Sequence, residues 1–182
     1  MLRLFIAAEI PEAQREAVDS VVAPLRGTLS GARWTGEAGW HVTLKFLGSV
    51  TGERLELVSG ICRSVAAAAP GPAEVRLTGL GAFPSPGRAR VLWVGLAEPA
   101  GVLVGAAAGL EERFRAEGFP AEQRPWRPHL TVARMKVPGP VDLLDAEIGA
   151  SPFTVVELVL FSSHLRPTGA VYEALGRYPL GG

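Results

Sequence analysis

Hydrophobic and polar positions follow two different periods along the chain, and these periods predict its secondary structure. In seven short segments bounded by glycine and proline, apolar side chains either alternate with polar ones or run unbroken, as is typical of strands. These patterns predict strands at residues 2–8, 41–47, 74–80, 90–96, 129–134, 153–161 and 170–175. Proline and glycine cluster at 84–87 and 167–169, which predicts turns there. Residues 137–152 form a proline-rich, acidic connection.

Three further segments have apolar side chains every three or four residues, the period of an amphipathic helix. The first has Pro11 in its first turn and carries apolar side chains as far as Leu25. The second is expected to be capped by Thr51 and to end before the Pro-Gly-Pro run at 70–72, and the third covers about 101–117. Helices and hairpins are mixed and do not alternate strictly. The pattern therefore favours an α+β fold with largely antiparallel sheets over a parallel doubly wound fold.

Composition narrows the class of protein. A chain of 182 residues, of which 48% are hydrophobic, suits one domain or two lobes that share a core. Lys and Arg number 18, as do Asp and Glu, so only a local basic cleft is available for nucleic acid. The single cysteine, Cys62, excludes an intramolecular disulfide and a Cys-rich metal site, and is expected to be an inert core residue. No apolar run approaches about 18 residues, so a soluble, cytoplasmic protein is expected.

One short pattern occurs twice, once in each half of the chain. His41 and Thr43 in the first copy match His129 and Thr131 in the second, and aliphatic residues follow each of them. Side chains two apart on a strand lie on the same face, about 6.6 Å apart along its axis. Each copy therefore directs an imidazole and a hydroxyl together, while its aliphatic side chains anchor the other face in the core.

Two such strands facing each other would surround one pocket with two imidazoles and two hydroxyls. This set suits in-line displacement at phosphorus, in which one neutral imidazole accepts a proton from water and one protonated imidazole gives a proton to the leaving oxygen. An imidazole has a pKa near 6.5, so both forms are accessible near neutral pH. The hydroxyls would hold the non-bridging oxygens. The mechanism needs no metal, and no dense Asp/Glu/His cluster occurs in the sequence.

The two motifs also resemble a known family. Residues 41–48, HVTLKFLG, and residues 127–134, RPHLTVAR, resemble the two motifs of the two-histidine phosphoesterases, specifically the RNA 2′,3′-cyclic phosphodiesterases once called 2′-5′ RNA ligases. The resemblance continues in order through residues 3–7, 83–86, 91–95 and 169–173, and so covers nearly the whole chain.

The resemblance implies an α+β, bilobal fold over residues 1–182, in which two largely antiparallel sheets flank a central cleft with helices outside. It implies hydrolysis of a terminal 2′,3′-cyclic phosphate on RNA, tRNA fragments among the candidate substrates, to a 2′-phosphate. By this analogy His41 is the proton donor to the 3′-oxygen, His129 is the proton acceptor from water, and Thr43 and Thr131 bind phosphate. It implies no cofactor, and 2′-5′ ligation through a 5′-hydroxyl as a secondary activity. Nothing in the sequence demands a dimer, so a monomer is expected.

Four other residues are candidate substrate contacts. Alternation places Lys45 on the face of His41, where its charge would attract phosphate. Trp126 is a candidate for base stacking or for anchoring the strand entry, and Arg127 for a phosphate contact or a solvated surface charge. Arg134 falls on the face opposite Thr131 unless the strand ends or bulges between them.

Two alternative functions remain open at this stage. The same site would also suit a small cyclic nucleotide such as ADP-ribose 1″,2″-cyclic phosphate, and a non-catalytic module for RNA ends is the third hypothesis. Two matched histidines and threonines favour an enzyme, because binding alone needs arginines more than an acid and a base. The third histidine, His164, is expected in a loop or in a structural role.

Overall fold

The computed structural model describes residues 1–143, 148–166 and 169–182. Within these ranges the chain forms nine strands and three α-helices, with short 3-10 turns between some of them. The strands are β1 (Leu2–Glu9), β2 (Ala32–Trp34), β3 (His41–Val50), β4 (Ala73–Phe83), β5 (Ala89–Ala97), β6 (His129–Gly139), β7 (Phe153–Val155), β8 (Glu157–Arg166) and β9 (Gly169–Pro179). The helices are α1 (Glu12–Thr28), α2 (Leu55–Ala67) and α3 (Val102–Ala116).

All strand pairings are antiparallel, in the order β7-β4-β5-β6-β3-β1-β8-β9, with β2 added beside β6. The two halves of this order meet where β3 and β6 pair at one position, Val42 opposite Leu130. The α+β class and the antiparallel sheets are therefore confirmed. The two predicted sheets are joined at this point into a single curled sheet.

The helices cover one face of this sheet and bury the stripes that the sequence predicts. Val18 and Val22 of α1, Val58 of α2, and Leu103 and Leu110 of α3 are fully buried in one continuous core. The aliphatic residues of both motifs lie in the same core. The other face of the sheet is left to the histidines and their neighbours.

Several element boundaries differ from the sequence predictions. Strand β2 was not predicted, because three residues are too few to show a period. Thr51 makes no side-chain cap bond and precedes a 3-10 turn, so the predicted cap is wrong. The segment predicted as one strand at 153–161 is two strands separated by the exposed Val156. The predicted turn at 167–169 includes Pro167 and Thr168, which lie outside the described residues.

No helix in the described ranges is both long enough and apolar enough to cross a membrane. Cys62 is buried in α2, and burial raises the pKa of its thiol to about 12, as expected for an inert core cysteine.

Candidate active site

The two His-x-Thr motifs lie where β3 and β6 meet. Val42 pairs with Leu130 in antiparallel register. In that register the position before Val42 lies beside the position after Leu130, so His41 neighbours Thr131 and Thr43 neighbours His129. All four side chains are half-buried, whereas the aliphatic residues between them are fully buried. Each imidazole is therefore placed beside the hydroxyl of the other motif.

A bulge in β3 interrupts the alternation after Thr43. Ala7 pairs with Thr43 and Ile6 with Lys45, which leaves Leu44 as the extra residue. Leu44 and Lys45 are consequently both buried, and Lys45 is only 2% exposed. The prediction that Lys45 faces the cleft is wrong. Because of the bulge, the side chain of Lys45 lies on the opposite side of the sheet from His41 and Thr43.

Lys45 has a structural role instead. Its ammonium donates to Glu111 Oε2 of α3 at 2.8 Å and to the carbonyl oxygen of Pro120 at 2.8 Å. Glu111 in turn accepts the backbone N–H of Glu122 at 3.1 Å. The pKa of the Glu111 carboxyl is lowered, since the bonds from Lys45 and Glu122 outweigh the opposing effect of burial. This pair fixes the start of the segment that leads to His129.

A matching bulge in β6 has the opposite consequence for Arg134. Trp93 pairs with Thr131 and Leu92 with Ala133, which leaves Val132 as the extra residue. Val132 and Ala133 are both fully buried. Beyond them the strand directs Arg134 to the same face as Thr131, where the side chain is exposed. From the sequence, Arg134 could share the face of Thr131 only if the strand ended or bulged between the two residues. The strand bulges there, so Arg134 is directed to the face of Thr131.

Aromatic rings surround His41. Phe5 of β1 stacks on the imidazole with a centroid separation of 4.8 Å, and Phe161 lies 5.9 Å away in a similar orientation. Tyr172 of β9 meets the imidazole edge-on at 5.2 Å. None of these three residues is predicted from the sequence as part of the site. The only signal was that the run at 2–8 is apolar on both faces, which indicates that the second face of β1 is covered too.

These surroundings keep His41 neutral in the free protein. Burial, with a further contribution from the positive charge of Arg15, lowers the pKa of His41 to about 4, and Glu9 opposes this effect. A cavity of about 380 Å³ adjoins the imidazole. It is lined by Glu9, Arg15, Ala38, Trp40, His41, Phe161, Ala170, Val171 and Tyr172.

His129 has a different arrangement, because a hydrogen bond fixes its ring. Nδ1 lies 2.7 Å from the carbonyl oxygen of Arg127, and since a carbonyl only accepts, Nδ1 carries the proton. In the neutral ring Nε2 is then a proton acceptor. Burial lowers the pKa of His129, the bond to the Arg127 carbonyl opposes this, and the charge of Arg134 lowers it further. Phe83 meets the ring edge-on at 5.2 Å, and Trp93 lies 6.4 Å away.

Trp126 anchors the entry to β6. Its indole N–H donates to the carbonyl oxygen of Thr43 at 2.8 Å, and its ring packs against the core. Of the two roles that the sequence left open, the structure supports the anchor. The side chain of Arg127 is exposed, so the residue holds His129 through its backbone and leaves its guanidinium in solvent.

His164 lies in β8, so of the two expected roles, a loop position or a structural role, the loop position is wrong. It is exposed, with Nε2 3.3 Å from Ser162 Oγ and 3.4 Å from Glu173 Oε2, and it is not part of the cavity beside His41. Within the described residues, no three His, Cys, Asp or Glu side chains converge as a metal site would require.

The chain was compared with known proteins at the level of sequence and of structure. The model of the LigT-like phosphoesterase family matches residues 8–93 and 94–172. RNA 2′,3′-cyclic phosphodiesterase of Archaeoglobus fulgidus is 32% identical over 178 residues, covering 96% of this chain and 98% of that protein. The protein of the same name from Thermus thermophilus is 34% identical over 191 residues, covering 100% and 91%.

Solved structures have the same fold as this chain. The TT0787 protein of Thermus thermophilus superposes with a TM-score of 0.83 at 30% identity and covers 100% of this chain and 99% of its own. Escherichia coli LigT in its apo form, at 24% identity, shares the fold with a TM-score of 0.79 and covers 100% and 98%.

A curled antiparallel sheet whose two halves each carry a His-x-Thr strand defines the class of two-histidine phosphoesterases. Within that class, this chain belongs to the LigT-like phosphoesterase family.

Proposed function

We propose that this protein hydrolyses the terminal 2′,3′-cyclic phosphate of RNA to a 2′-phosphate. The observation that carries the proposal is the register at Val42 and Leu130, which sets each motif's imidazole beside the other motif's hydroxyl. Relatives named RNA 2′,3′-cyclic phosphodiesterase, similar over nearly the whole chain, support the substrate class. The acid and the base of the reaction are both imidazoles, so the proposed mechanism requires no metal.

His129 is the general base of this mechanism. Its Nδ1 proton is engaged by the Arg127 carbonyl, so the lone pair of neutral Nε2 is available to accept a proton from water. The lowered pKa of His129 keeps the ring neutral at physiological pH. As the water oxygen bonds to phosphorus, its proton passes to Nε2.

His41 is the general acid. It gives a proton to the ribose 3′-oxygen as the bond between that oxygen and phosphorus breaks, which leaves the phosphate on the 2′-oxygen. The free ring is neutral because its pKa is about 4, but a bound phosphate anion stabilises the imidazolium and raises that pKa. Substrate binding therefore prepares the acid.

Thr43 and Thr131 donate hydroxyl hydrogen bonds to the non-bridging phosphate oxygens, and Arg134 adds positive charge on the same face. When an RNA 5′-hydroxyl takes the place of water, the same steps form a 2′-5′ linkage, which is the proposed secondary ligase activity. Both motifs come from one chain, so we propose that residues 1–182 form a single bilobal domain that acts as a monomer. We also propose that the protein acts in the cytoplasm.

The direct test offers a short RNA with a 2′,3′-cyclic phosphate end to the enzyme in the presence of EDTA. The proposal expects a 2′-phosphate product at an undiminished rate. Turnover of ADP-ribose 1″,2″-cyclic phosphate with no turnover of RNA would move the function to small cyclic nucleotides. A strict metal requirement, or a 3′-phosphate product, would contradict the mechanism.

A further inference from the structure

Two arginines lie directly opposite each other where β2 pairs with β6. Arg33 is the register partner of Arg134, and both side chains are exposed. Side chains at directly opposite positions of an antiparallel pair lie on the same face, with Cβ atoms about 4.5 to 5.5 Å apart. The two arginine side chains therefore leave the sheet next to each other on one surface.

That surface is the face that carries the histidines. On β2, Ala32 and Trp34 pack against the core, so Arg33 between them is directed to the other face. On β6, the bulge after Thr131 brings Arg134 to that same face. Arg134 follows Thr131 by three residues, at most about 10 Å of extended chain. The arginine pair thus lies beside the phosphate-binding threonine.

This pair has no carboxylate partner among the described residues. In the part of the chain that the structure describes, neither guanidinium has a carboxylate oxygen within 4.0 Å, whereas Arg26 and Arg177 are both engaged in ion pairs. Like charges directly opposite each other on a sheet are destabilising. Arginine is also the side chain best suited to a phosphodiester, because its planar guanidinium can donate two parallel hydrogen bonds to the phosphate oxygens.

We propose that Arg33 and Arg134 together bind a backbone phosphodiester of the RNA strand that leads into the cyclic end. The proposal rests on the proposed function and adds a second phosphate subsite to it. A nucleoside 2′,3′-cyclic phosphate with a 5′-hydroxyl has no such phosphodiester and gains nothing from Arg33. The subsite therefore makes the enzyme select an RNA strand over a mononucleotide.

The kinetic test compares a five-nucleotide RNA with a cyclic end and a nucleoside 2′,3′-cyclic phosphate. Arg33→Gln is expected to lower kcat/KM about tenfold for the RNA and less than about twofold for the mononucleotide. The dependence of log kcat/KM on log salt should become shallower by roughly 0.7, the value of one contact to single-stranded nucleic acid. Arg113→Gln, which removes an exposed arginine bonded to Ser64 on the helical layer, is the matched control. Equal effects on both substrates, or no effect on the RNA, would overturn the proposal.

A second pair of variants separates phosphate binding from a structural role. Arg33→Lys retains the charge and should keep most of the RNA rate. Arg33→Glu places a carboxylate opposite Arg134, so it should raise the midpoint of thermal unfolding by roughly 1 to 3 °C while weakening RNA binding more than Arg33→Gln does. A loss of stability parallel to the loss of binding would mean that Arg33 acts only on the fold.

Equilibrium binding of a fluorescent RNA that already ends in a 2′-phosphate makes the test independent of turnover. If the wild type binds this RNA with an Arg33-dependent salt slope but does not hydrolyse the cyclic end, the subsite stands and the proposed function fails. If the wild type hydrolyses RNA and Arg33→Gln changes neither binding nor rate, the subsite fails alone. A wild type that does neither would overturn both.

Discussion

His41 and His129 are chemically alike but differ in what surrounds them. His41 lies among aromatic rings and is influenced by the positive charge of Arg15, whereas Nδ1 of His129 is hydrogen-bonded to a backbone carbonyl. The surroundings of His41 set its pKa, whereas the hydrogen bond of His129 sets which ring nitrogen carries the proton. The sequence indicates both residue types and their pairing, but the groups that distinguish them come from β1, β8 and the segment before β6, which no local pattern connects to the motifs.

The pH dependence of the rate should reflect these environments. The acid must be protonated, so activity is lost as pH rises through the pKa of His41, and the low pKa in the free enzyme places that decline of kcat/KM on the acidic side of 6.5. A bound phosphate raises the pKa, so the decline of kcat should lie at higher pH. Steady-state kinetics across pH check this prediction. Coincident alkaline limbs for kcat and kcat/KM would argue against His41 as the acid.

Lys45 provides a test of its corrected role. Lys45→Ala should lower the free energy of unfolding by about 2 to 3 kcal/mol, because it removes a buried partner of Glu111 and the donor to Pro120. Lys45→Met, which restores the aliphatic volume, should recover part of this loss. Denaturant titration measures both effects. The dependence of kcat/KM on salt concentration should stay as in the wild type. A shallower dependence would show that Lys45 contributes its charge to substrate binding in the cleft.

At the scale of elements, the two motif strands depart from regular alternation at equivalent places. Each has an extra residue directly after the threonine, Leu44 in β3 and Val132 in β6. The sequence predicts the shared face of His and Thr because only one alternation separates them. It does not predict the bulges, which depend on the register with β1 and β5. One bulge removes Lys45 from the cleft, and the other brings Arg134 into it.

Strand β4 approaches the indole of Trp93 closely at Gly81. A Cβ added at Gly81 would lie 2.6 Å from Trp93 Cε2, so Gly81→Ala must displace the indole, which is a neighbour of His129. We expect kcat to fall about tenfold or more, since a misplaced general base loses much of its effect. Gly60→Ala in α2, where an added Cβ meets nothing within 4 Å, is the control and should keep full activity. A fully active Gly81→Ala would show that Trp93 does not position the site.

For the molecule as a whole, the sequence predicts the fold class. Within the described residues it predicts all three helices and, in outline, eight of the nine strands, with β7 and β8 predicted as one segment. It does not predict that the two halves of the sheet meet at one pair, Val42 with Leu130. Strand order is set by packing between segments distant in the chain, whereas the periods report only local structure. The resemblance to a known family supplied the bilobal arrangement that the periods left open.

The global stability should depend on pH through the buried histidines. The pKa of His41 is about 4 in the folded protein and near 6.5 when unfolded, so the unfolded chain binds more protons between these values. Stability is therefore lost as pH falls from 6.5 towards 4, by on the order of 2 to 3 kcal/mol from this residue. His129, whose pKa is also lowered, acts in the same direction.

Thermal or denaturant unfolding of His41→Asn across this pH range checks the prediction. The variant should show a flatter dependence of stability on pH than the wild type. Gly60→Ala changes no titratable group and adds a Cβ that meets nothing within 4 Å, so this control should keep the wild-type dependence. An unchanged slope in His41→Asn would mean that the ring is not held neutral by burial.

Single-turnover hydrolysis of a cyclic-phosphate RNA by His41→Ala, His129→Ala and the double variant tests whether the two histidines act as a paired acid and base. Each single change should lower the rate by roughly a hundred- to ten-thousand-fold, because each removes one of the two proton transfers. The double variant should be far less impaired than the product of the two effects, since the residues act as a unit. Binding of the 2′-phosphate RNA should be largely retained. A single variant that keeps a rate close to that of the wild type would contradict the paired acid–base mechanism.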